Sequence, residues 1–354
     1  MDKLLPAFSE NNIAIAFCAD DNFAPCTAVL IRSILSTGSE NNNYDFVLLH
    51  SGMRTENQRK LTEITAGHQN ASMRFIDVMT FIAQYNFFIG TVREEKEISK
   101  ETYYRLLIPE IMSEYEKVLY LDGDMTALCD VAEVYHIELG DHLVAACRDL
   151  VGLMAYYNPS YCIDRQNGQT QKEYWDGDLK VKDANQYFNA GLTLFNIPAF
   201  RAEYSMDYLL EYAVSRHWKA HDQDILNILC QDKSVLIESN WNSIYGDAPQ
   251  FLPDDLRAEY QDCWAHPKIA HFAGPFKPWT VPDAPFQERF WPYAAETPYL
   301  ETLLRQLITH NTGSGTGNSR FAMEIQFKQG QVGMRYLLRL ARLWLDYKLK
   351  GGAQ

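Results

Sequence analysis

Apolar runs and amphipathic segments alternate along the first third of the chain. Residues 13–17 form a continuous apolar run typical of a buried strand, and the apolar positions of residues 26–35 recur at helical spacing. The alternation continues with strand-like runs at 46–50, 73–78 and 117–121 and with helical patterns at 55–66 and 102–113. Alternating strands and helices predict an α/β protein with a doubly wound, mostly parallel sheet.

Acidic residues directly follow two of these predicted strands. Asp20 and Asp21 come after the first strand, and Asp122 and Asp124 come after the run 117–121. Ligands of such sheets bind beyond the carboxyl ends of the strands, so we expect the two acidic pairs to share one cleft. Side chains at i and i+2 of an extended backbone point the same way, so Asp122 and Asp124 predict a divalent-cation site. The alternative is a plain β-hairpin, because Asp-Gly is a favoured two-residue turn.

A histidine, a glycine and a lysine follow the strand-like run 268–270 at short intervals. Gly274 would allow close backbone approach, and Lys277 is a cation suited to phosphate oxygens. Imidazole from His271 together with two carboxylates suits Mn²⁺ or a similar ion. A lone histidine beside apolar residues is otherwise more often a structural residue.

Two further polar motifs flank predicted elements. Asn189, Ala190 and Gly191 precede the strand-like run 192–195, and residues 221–227 carry acidic and amide groups at the start of a helix through 229. The alternative for the second motif is a helix cap, because an aspartate in the first turn satisfies free N–H groups. No G-x-G-x-x-G or P-loop glycine pattern follows any strand, so a phosphorylated ligand would need a metal and cationic side chains.

The segment 151–187 is polar, rich in aromatic residues and weakly periodic. It is longer than a usual connection, which predicts a lid or binding loop. It contains a second Asp-Gly-Asp at 176–178, which lacks a preceding apolar strand and is interpreted as a turn.

The net charge of −14 argues against a nucleic-acid partner, because phosphate backbones favour basic surfaces. Seven cysteines without C-x-x-C spacing predict free thiols in a reducing compartment. Residues 1–10 lack the apolar region of a signal peptide, and no run of 18 apolar residues occurs. We therefore expect a cytoplasmic protein.

A glycine- and serine-rich stretch at 311–319 has linker composition and predicts a boundary between a catalytic domain at 11–310 and a tail at 320–354. Seven basic and two acidic residues give the tail a net charge of +5, and an apolar stripe recurs at helical spacing. Basic amphipathic helices bind anionic membrane surfaces, which would place the protein at the inner face of the cytoplasmic membrane. Alternatively, the tail packs on the core or on a second subunit.

Taken together, these motifs resemble the family 8 glycosyltransferases, in particular the bacterial lipopolysaccharide α-galactosyl- and α-glucosyltransferases, and more distantly glycogenin. The resemblance runs from about residue 13 to residue 279. The motifs that carry it are, in chain order, A-D-D-N at 19–22, T-Y-x-R-L at 102–106, V-L-Y-L-D-x-D at 118–124, D-L at 149–150, Y-F-N-A-G at 187–191, D-Q-D-I-L-N at 222–227 and H-x-x-G-x-x-K-P-W at 271–279.

This resemblance implies a single Rossmann-like nucleotide-sugar-binding domain of the GT-A type. By resemblance, Mn²⁺, or Mg²⁺ in its place, would be held by Asp122, Asp124 and His271. Gly274 and Lys277 would contact the diphosphate of a UDP-sugar. Asp20 and Asn22 would bind the uridine. The donor sugar would be held by Arg105, Asp149, Asn189 and Asp222. The donor site would also take in Asp21, Phe23, Gly123, Ala190 and Gly191.

The implied activity is a retaining, Mn²⁺-dependent transfer of galactose or glucose from UDP to a saccharide acceptor, such as lipopolysaccharide or another cell-surface glycan. Gln223 would lie near the anomeric carbon, and Asp222 is the candidate nucleophile should the route be covalent. Two other functions stay open at this point. One is a catalytically silent nucleotide-sugar-binding protein, and the other is a retaining glycoside hydrolase, which uses two carboxylates and no metal.

Overall fold

The computed structural model describes residues 3–83 and 100–313, which divide into two compact units, one ending at His271 and one beginning at Phe272. The strands are β1 Asn12–Cys18, β2 Asn43–His50, β3 Ala71–Asp77, β4 Lys117–Leu121, β5 Met125–Ala127, β6 Val144–Arg148, β7 Cys162–Asp164, β8 Gln169–Thr170, β9 Phe188–Asn196, β10 Ser234–Ile237, β11 Ser243–Ile244 and β12 Ile269–His271. The α-helices are α1 Ala24–Thr37, α2 Thr55–Thr65, α3 Val78–Ile82, α4 Ile108–Ile111, α5 Ala132–Tyr135, α6 Leu150–Tyr157, α7 Gln171–Glu173, α8 Ile197–Glu203, α9 Met206–Ala213, α10 His221–Leu229, α11 Asp254–Ala265, α12 Gln287–Ala294 and α13 Leu300–Gly313.

A seven-stranded sheet in the order β10-β6-β9-β4-β1-β2-β3 forms the centre of the first unit. The pairs β1–β2, β2–β3, β1–β4 and β6–β10 are parallel, whereas β9 runs antiparallel to both β4 and β6. β1 and β4 are almost wholly buried, as expected for strands covered on both faces. The predicted α/β class and the mostly parallel sheet are therefore confirmed, with one antiparallel strand in the middle.

The antiparallel direction of β9 brings its first residues to the sheet edge where its neighbours end. Leu121 at the end of β4 pairs with Leu192, and Cys147 near the end of β6 pairs with Asn189. The start of β9 therefore lies beside the residues that follow β4 and β6. A three-stranded sheet β11-β12-β5 adds the end of β12 to this region, because His271 pairs with Met125.

Three local predictions were wrong. The segment 102–113 is not one helix: a 3₁₀ helix at Lys100–Leu107 gives way to α4, where Pro109 lacks the N–H that a continuous helix needs. The segment 151–187, expected to be a lid or binding loop, is not a loop but contains most of α6, the β7–β8 hairpin, α7, a π-helix at Tyr174–Leu179 and a 3₁₀ turn, and its binding role stays a prediction. Its Asp-Gly-Asp lies within that π-helix rather than in a turn.

The second unit contains α12 and α13. The ring of Phe290 in α12 packs edge-on against the ring of Phe272, with their centroids 5.5 Å apart. The centroids of Phe290 and Trp279 are 5.2 Å apart, so these three rings form an aromatic core in this unit. α13 continues through Gly313 and so includes the first residues of the predicted linker. The rest of the linker and the tail 320–354 lie outside the described residues. Among the described helices, none combines the length and the hydropathy that a membrane span requires.

Candidate active site

Asp122, Asp124 and His271 come together at the carboxyl edge of the central sheet, and we call them the acid–histidine cluster. Their ligand atoms all lie within 4.8 Å of one another. His271 Nε2 is 3.2 Å from Asp124 Oδ1 and 3.7 Å from Asp122 Oδ2. Asp124 and His271 are buried, whereas the Asp122 side chain is 25% exposed, so the cluster is reached from one side.

The two carboxylates are held at the end of β4 by a turn rather than by a hairpin. Gly123 and Asp124 form the turn, but β4 and β5 on either side of it belong to different sheets. The hairpin alternative for Asp-Gly is therefore wrong. A Cβ on Gly123 would lie 2.4 Å from Oγ1 of Thr27, so the close packing of the turn against α1 requires glycine.

Gly191 supplies the space in which the acid–histidine cluster forms. A Cβ at this position would lie 2.6 Å from His271 Cε1 and 2.8 Å from Asp122 Oδ2. The backbone of Gly191 also accepts a hydrogen bond from the Asp122 N–H at 2.8 Å. Any other residue at 191 would push the cluster apart.

A chain of amide hydrogen bonds orients the imidazole of His271. His271 Nδ1 lies 2.8 Å from Oδ1 of Asn242, and Nδ2 of Asn242 donates to Oδ1 of Asn189. The same Asn189 oxygen accepts from the Gly191 N–H at 3.0 Å. The Asn242 oxygen faces Nδ1 of His271, a contact that favours the proton on Nδ1, and Nε2 faces the carboxylates of the cluster.

Arg105 is the buried cation of the site. Its guanidinium donates to Asp122 Oδ1 at 2.8 Å and to the Ala190 carbonyl at 2.6 Å, and it lies over the ring of Tyr120. Its Nε forms an ion pair with Asp222 Oδ2 at 2.6 Å. Burial lowers the pKa of Arg105, but the carboxylates of Asp122 and Asp222 outweigh this and raise it above its usual value.

Asp222 and Gln223, at the start of α10, point to different partners. Burial raises the pKa of Asp222 above its ordinary range, while Arg105 opposes that shift and Asp122 adds to it. Gln223 accepts a hydrogen bond from the Ala190 N–H at 3.0 Å and donates to Asp149 Oδ2 at 2.9 Å. The amide of Gln223 therefore ties the start of β9 to Asp149.

Asp149 caps α6 and also contacts the candidate catalytic glutamine. Its Oδ1 accepts from the Gly152 N–H at 2.9 Å, while Oδ2 accepts from Gln223. Burial raises the pKa of Asp149, and these two hydrogen bonds partly oppose the shift. The structure thus brings most of the candidate residues into one contact network: Arg105, Asp122, Asp124, Asp149, Asn189, Ala190, Gly191, Asp222, Gln223 and His271.

The acidic pair after β1 makes a different set of contacts. Asp20 Oδ1 accepts from the N–H groups of Asn22 and Phe23 in a local turn that leads into α1. Asp21 instead pairs with Arg54 at 2.9 Å and accepts from Asn57 at 2.6 Å, so its carboxylate joins the β1 loop to α2. These hydrogen bonds lower the pKa of Asp21 even though burial raises it.

Gly274 and Lys277 belong to the second unit. Gly274 has a positive φ of 75°, a conformation that other residues rarely adopt. The ammonium group of Lys277 donates to the Phe272 carbonyl at 2.9 Å and lies 5.5 Å from the ring of Trp279.

The capping alternative at 222–224 is correct for Asp224. Asp224 is fully buried and accepts from the Ala220 N–H before α10 and from the hydroxyls of Tyr174 and Tyr187. Asn242 is the contact that the sequence analysis missed. It lies in the polar stretch 239–242 soon after β10, and the rule that polar residues beyond a strand end form ligand sites could have identified it.

The profile of the family described as Glycosyl transferase family 8 matches residues 14–281 of this chain. General stress protein A of Bacillus subtilis is 25% identical over 80% of this chain and 93% of that protein. The lipopolysaccharide 1,3-galactosyltransferase of Salmonella typhimurium is 25% identical over 64% of this chain and 62% of that enzyme.

Two solved structures share the fold of this chain. The apo structure of the bifunctional glycosyltransferase WbbM superposes with a TM-score of 0.77 at 28% identity, covering 86% of this chain and 53% of that one. The galactosyltransferase LgtC, solved with donor and acceptor sugar analogues, gives a TM-score of 0.60 at 25% identity, covering 81% of this chain and 96% of that one.

Gly191→Ala tests whether the acid–histidine cluster is a metal site. The added methyl would displace His271 and Asp122, so we expect the affinity for Mn²⁺, measured by isothermal titration calorimetry, to fall about 10- to 100-fold, as when the surroundings of metal ligands are disturbed. Gly67→Ala is the matched control, because a Cβ there meets nothing within 4 Å. Unchanged Mn²⁺ affinity in a folded Gly191→Ala protein would contradict the assignment.

Proposed function

Because the chain belongs to glycosyl transferase family 8, we propose that it is a retaining, Mn²⁺-dependent hexosyltransferase. It transfers galactose or glucose from a UDP-sugar to a saccharide acceptor of lipopolysaccharide or another cell-surface glycan. The observation that carries the proposal is the acid–histidine cluster, which lies at the sheet edge where ligands of such folds bind. The similarity to a lipopolysaccharide galactosyltransferase supports the proposed acceptor class.

The acid–histidine cluster fits a hard divalent cation by its donor atoms and by its charge. Two carboxylate oxygens and one imidazole nitrogen suit Mn²⁺, and Mg²⁺ is the next candidate. Around the cluster, the contacts of the described residues bring the carboxylates of Asp122 and Asp222 to the guanidinium of Arg105, while Asp124 lies beside His271. When bound, the cation would neutralise negative charge on the leaving diphosphate.

The proposed donor contacts follow from the family motifs. Asp20 and Asn22 bind the uridine, and Gly274 and Lys277 contact the diphosphate oxygens. The donor-sugar hydroxyls are held by Arg105, Asp149, Asn189 and Asp222. In the described contacts, Arg105 and Gln223 hold the two sides of Ala190 through its carbonyl and its N–H. That clamp fixes the start of β9, so the donor-sugar side of the site is rigid before substrate binds.

The contacts of Asp222 and Gln223 favour a front-face reaction, in which the departing phosphate takes the proton of the acceptor hydroxyl. Gln223 is an amide whose oxygen and nitrogen are both engaged, so it can orient or polarise but is a poor nucleophile. The Asp222 carboxylate is engaged in the ion pair with Arg105, so attack on the anomeric carbon would have to break that contact. Asp222 in this scheme orients sugar hydroxyls and balances the charge of Arg105.

Asp124→Ala and metal removal test the reaction class. Losing one carboxylate should abolish Mn²⁺-dependent turnover of a panel of UDP-sugars, measured as UDP release, while far-UV circular dichroism stays unchanged. EDTA should abolish wild-type turnover, and Mn²⁺ should restore it. Asp207→Ala is the control, because Asp207 is exposed and no residue of the site lies within ten positions of it in the sequence. Full turnover in EDTA would exclude the metal-dependent reaction.

Intact-protein mass spectrometry distinguishes the front-face route from a covalent one. After incubation with the preferred donor and no acceptor, we expect no glycosyl adduct on the wild-type enzyme. Gln223→Ala should lower kcat by about 10²-fold or less, the scale of one positioned hydrogen-bond group. Asp222→Asn should be at least as damaging, because one carboxylate oxygen becomes a donor. An adduct mapped to Asp222 on the timescale of turnover would instead establish double displacement.

The tail 320–354 is proposed to hold the enzyme at anionic membrane, close to a lipid-linked acceptor. The support is its sequence, with a net charge of +5 on a chain of −14 and apolar residues at helical spacing. Each basic residue near such a surface contributes about 1 kcal/mol, so binding should be reversible and salt-sensitive.

Deleting residues 320–354 should therefore release the protein from phosphatidylglycerol-containing vesicles in a co-sedimentation assay at low salt. UDP-sugar turnover in solution should be retained, which shows that the truncated protein is folded. Equal co-sedimentation of the full and truncated chains would mean that the tail does not bind the membrane.

A further inference from the structure

An open groove lies in the part of the first unit that follows Asp149. Its walls are the end of α6, the tip of the β7–β8 hairpin and the helical stretch 172–178, and its volume is about 1290 Å³. None of the acid–histidine cluster residues lines it. We call it the tyrosine groove, after Tyr156 and Tyr157 at the end of α6.

The walls of the tyrosine groove combine aromatic rings with polar groups, some of which are positioned by hydrogen bonds to one another. Tyr156 and Tyr157 are half-buried, with ring centroids 5.1 Å apart and planes perpendicular to each other. The Tyr156 hydroxyl accepts from Lys172 at 2.7 Å and donates to Asp176 at 3.0 Å. Amide groups of Asn158 and Asn167 add further donors and acceptors along the wall. This mixture suits a ligand with apolar C–H faces and many hydroxyls.

The charge of the tyrosine groove disfavours anionic ligands. Its only basic lining residue among those described is Lys172, against the three acids Glu173, Asp176 and Asp178. The net charge of −2 would repel phosphorylated sugars, lipid headgroups and nucleic acid. Its volume also exceeds the roughly 300–1000 Å³ of an ordinary small-molecule pocket, so the groove suits a ligand longer than one ring.

One helix connects the tyrosine groove to the candidate catalytic residues. Asp149, which contacts Gln223, is the cap residue of α6, and Tyr156 is seven positions further along that helix. At a rise of about 1.5 Å per residue, the groove begins roughly 10 Å from Asp149. The ring of Trp175 stacks on Tyr156, with centroids 5.5 Å apart, and on Tyr187, with centroids 4.0 Å apart. Tyr156 in the groove wall therefore packs, through Trp175, against the buried Tyr187.

We propose that the tyrosine groove binds a neutral oligosaccharide, and that this is the part of the acceptor glycan distal to the residue that receives the sugar. The assignment of the groove as an acceptor site rests on the proposed transferase function. The proposal that the groove binds a saccharide does not depend on that function. The inference follows from the net acidic, polar wall, the two half-buried tyrosines that line the groove and the distance along α6.

Gly177→Leu blocks the tyrosine groove without disturbing the core. Gly177 lines the groove, its φ is not positive, and a Cβ there meets nothing within 4 Å. Gly67→Leu is the matched control, because Gly67 also has open space and a φ that is not positive. Thermal unfolding of both variants should match that of the wild type.

The probes are neutral glucose and galactose oligosaccharides, from disaccharides to hexasaccharides, with phosphorylated counterparts, measured by saturation-transfer NMR titration on the full chain. We expect the wild type and Gly67→Leu to bind at least one neutral probe. Gly177→Leu should bind it about tenfold or more weakly, the scale of one or two lost hydrogen bonds. Absence of neutral-probe binding, equal binding by Gly177→Leu, or tighter binding of the phosphorylated probes would overturn the proposal.

UDP-sugar turnover without acceptor, measured in the same samples, separates the two proposals. Gly177→Leu should leave this donor turnover unchanged, because the groove does not include the acid–histidine cluster. A wild type that releases no UDP either without acceptor or with any of the saccharide probes would contradict the transferase function, and saccharide binding would still decide the groove. A loss of donor turnover in Gly177→Leu would count against a separate acceptor subsite.

Discussion

A single buried guanidinium organises the acidic edge of this sheet. Arg105 is the charge that offsets Asp122 and Asp222, both drawn from distant parts of the chain, and it holds the Ala190 carbonyl between them. Carboxylates brought this close without a cation would protonate or move apart, because an unpaired buried charge costs several kcal/mol. Removing one member of such a set typically destabilises a protein by about 3–5 kcal/mol. The spacing of the other site residues depends on this arrangement.

The antiparallel strand β9 makes that arrangement possible. Running against β4 and β6, it presents Asn189 to Gly191 at the edge where both neighbours end. Gly191 lets the backbone pass directly beneath Asp122 and His271, and the side chain of Asn189 begins the amide chain that orients the imidazole. The first residues of β9 therefore leave space for the acid–histidine cluster, accept the N–H of Asp122 and help to orient the imidazole of His271.

The segment between Asp149 and β9 links this rigid edge to a more open surface. Its buried side carries Trp175 and Tyr187, and the hydroxyls of Tyr174 and Tyr187 both donate to the fully buried Asp224 in the first turn of α10. Its outer side carries the tyrosine groove. The same stretch of chain thus contacts α10 on one side and presents an open groove on the other, a common division in folds whose loops carry function.

The sequence by itself determined the alternating α/β order, the strands up to β4, the helix α10 and the motifs that identify the family, because apolar periodicity and short spacings are local properties of neighbouring residues. The sequence also predicted that Asp122, Asp124 and His271 belong to one divalent-cation site. Only the tertiary structure decided that β9 runs antiparallel between β4 and β6, that Asn242 orients His271, and that Asp21 is bound by Arg54 and Asn57. It likewise decided that 151–187 folds into short elements and that Pro109 ends the 3₁₀ stretch. Each of these features depends on contacts between residues that lie far apart along the chain, or on competition between local and tertiary packing. The periodicity of a single segment predicts neither of these.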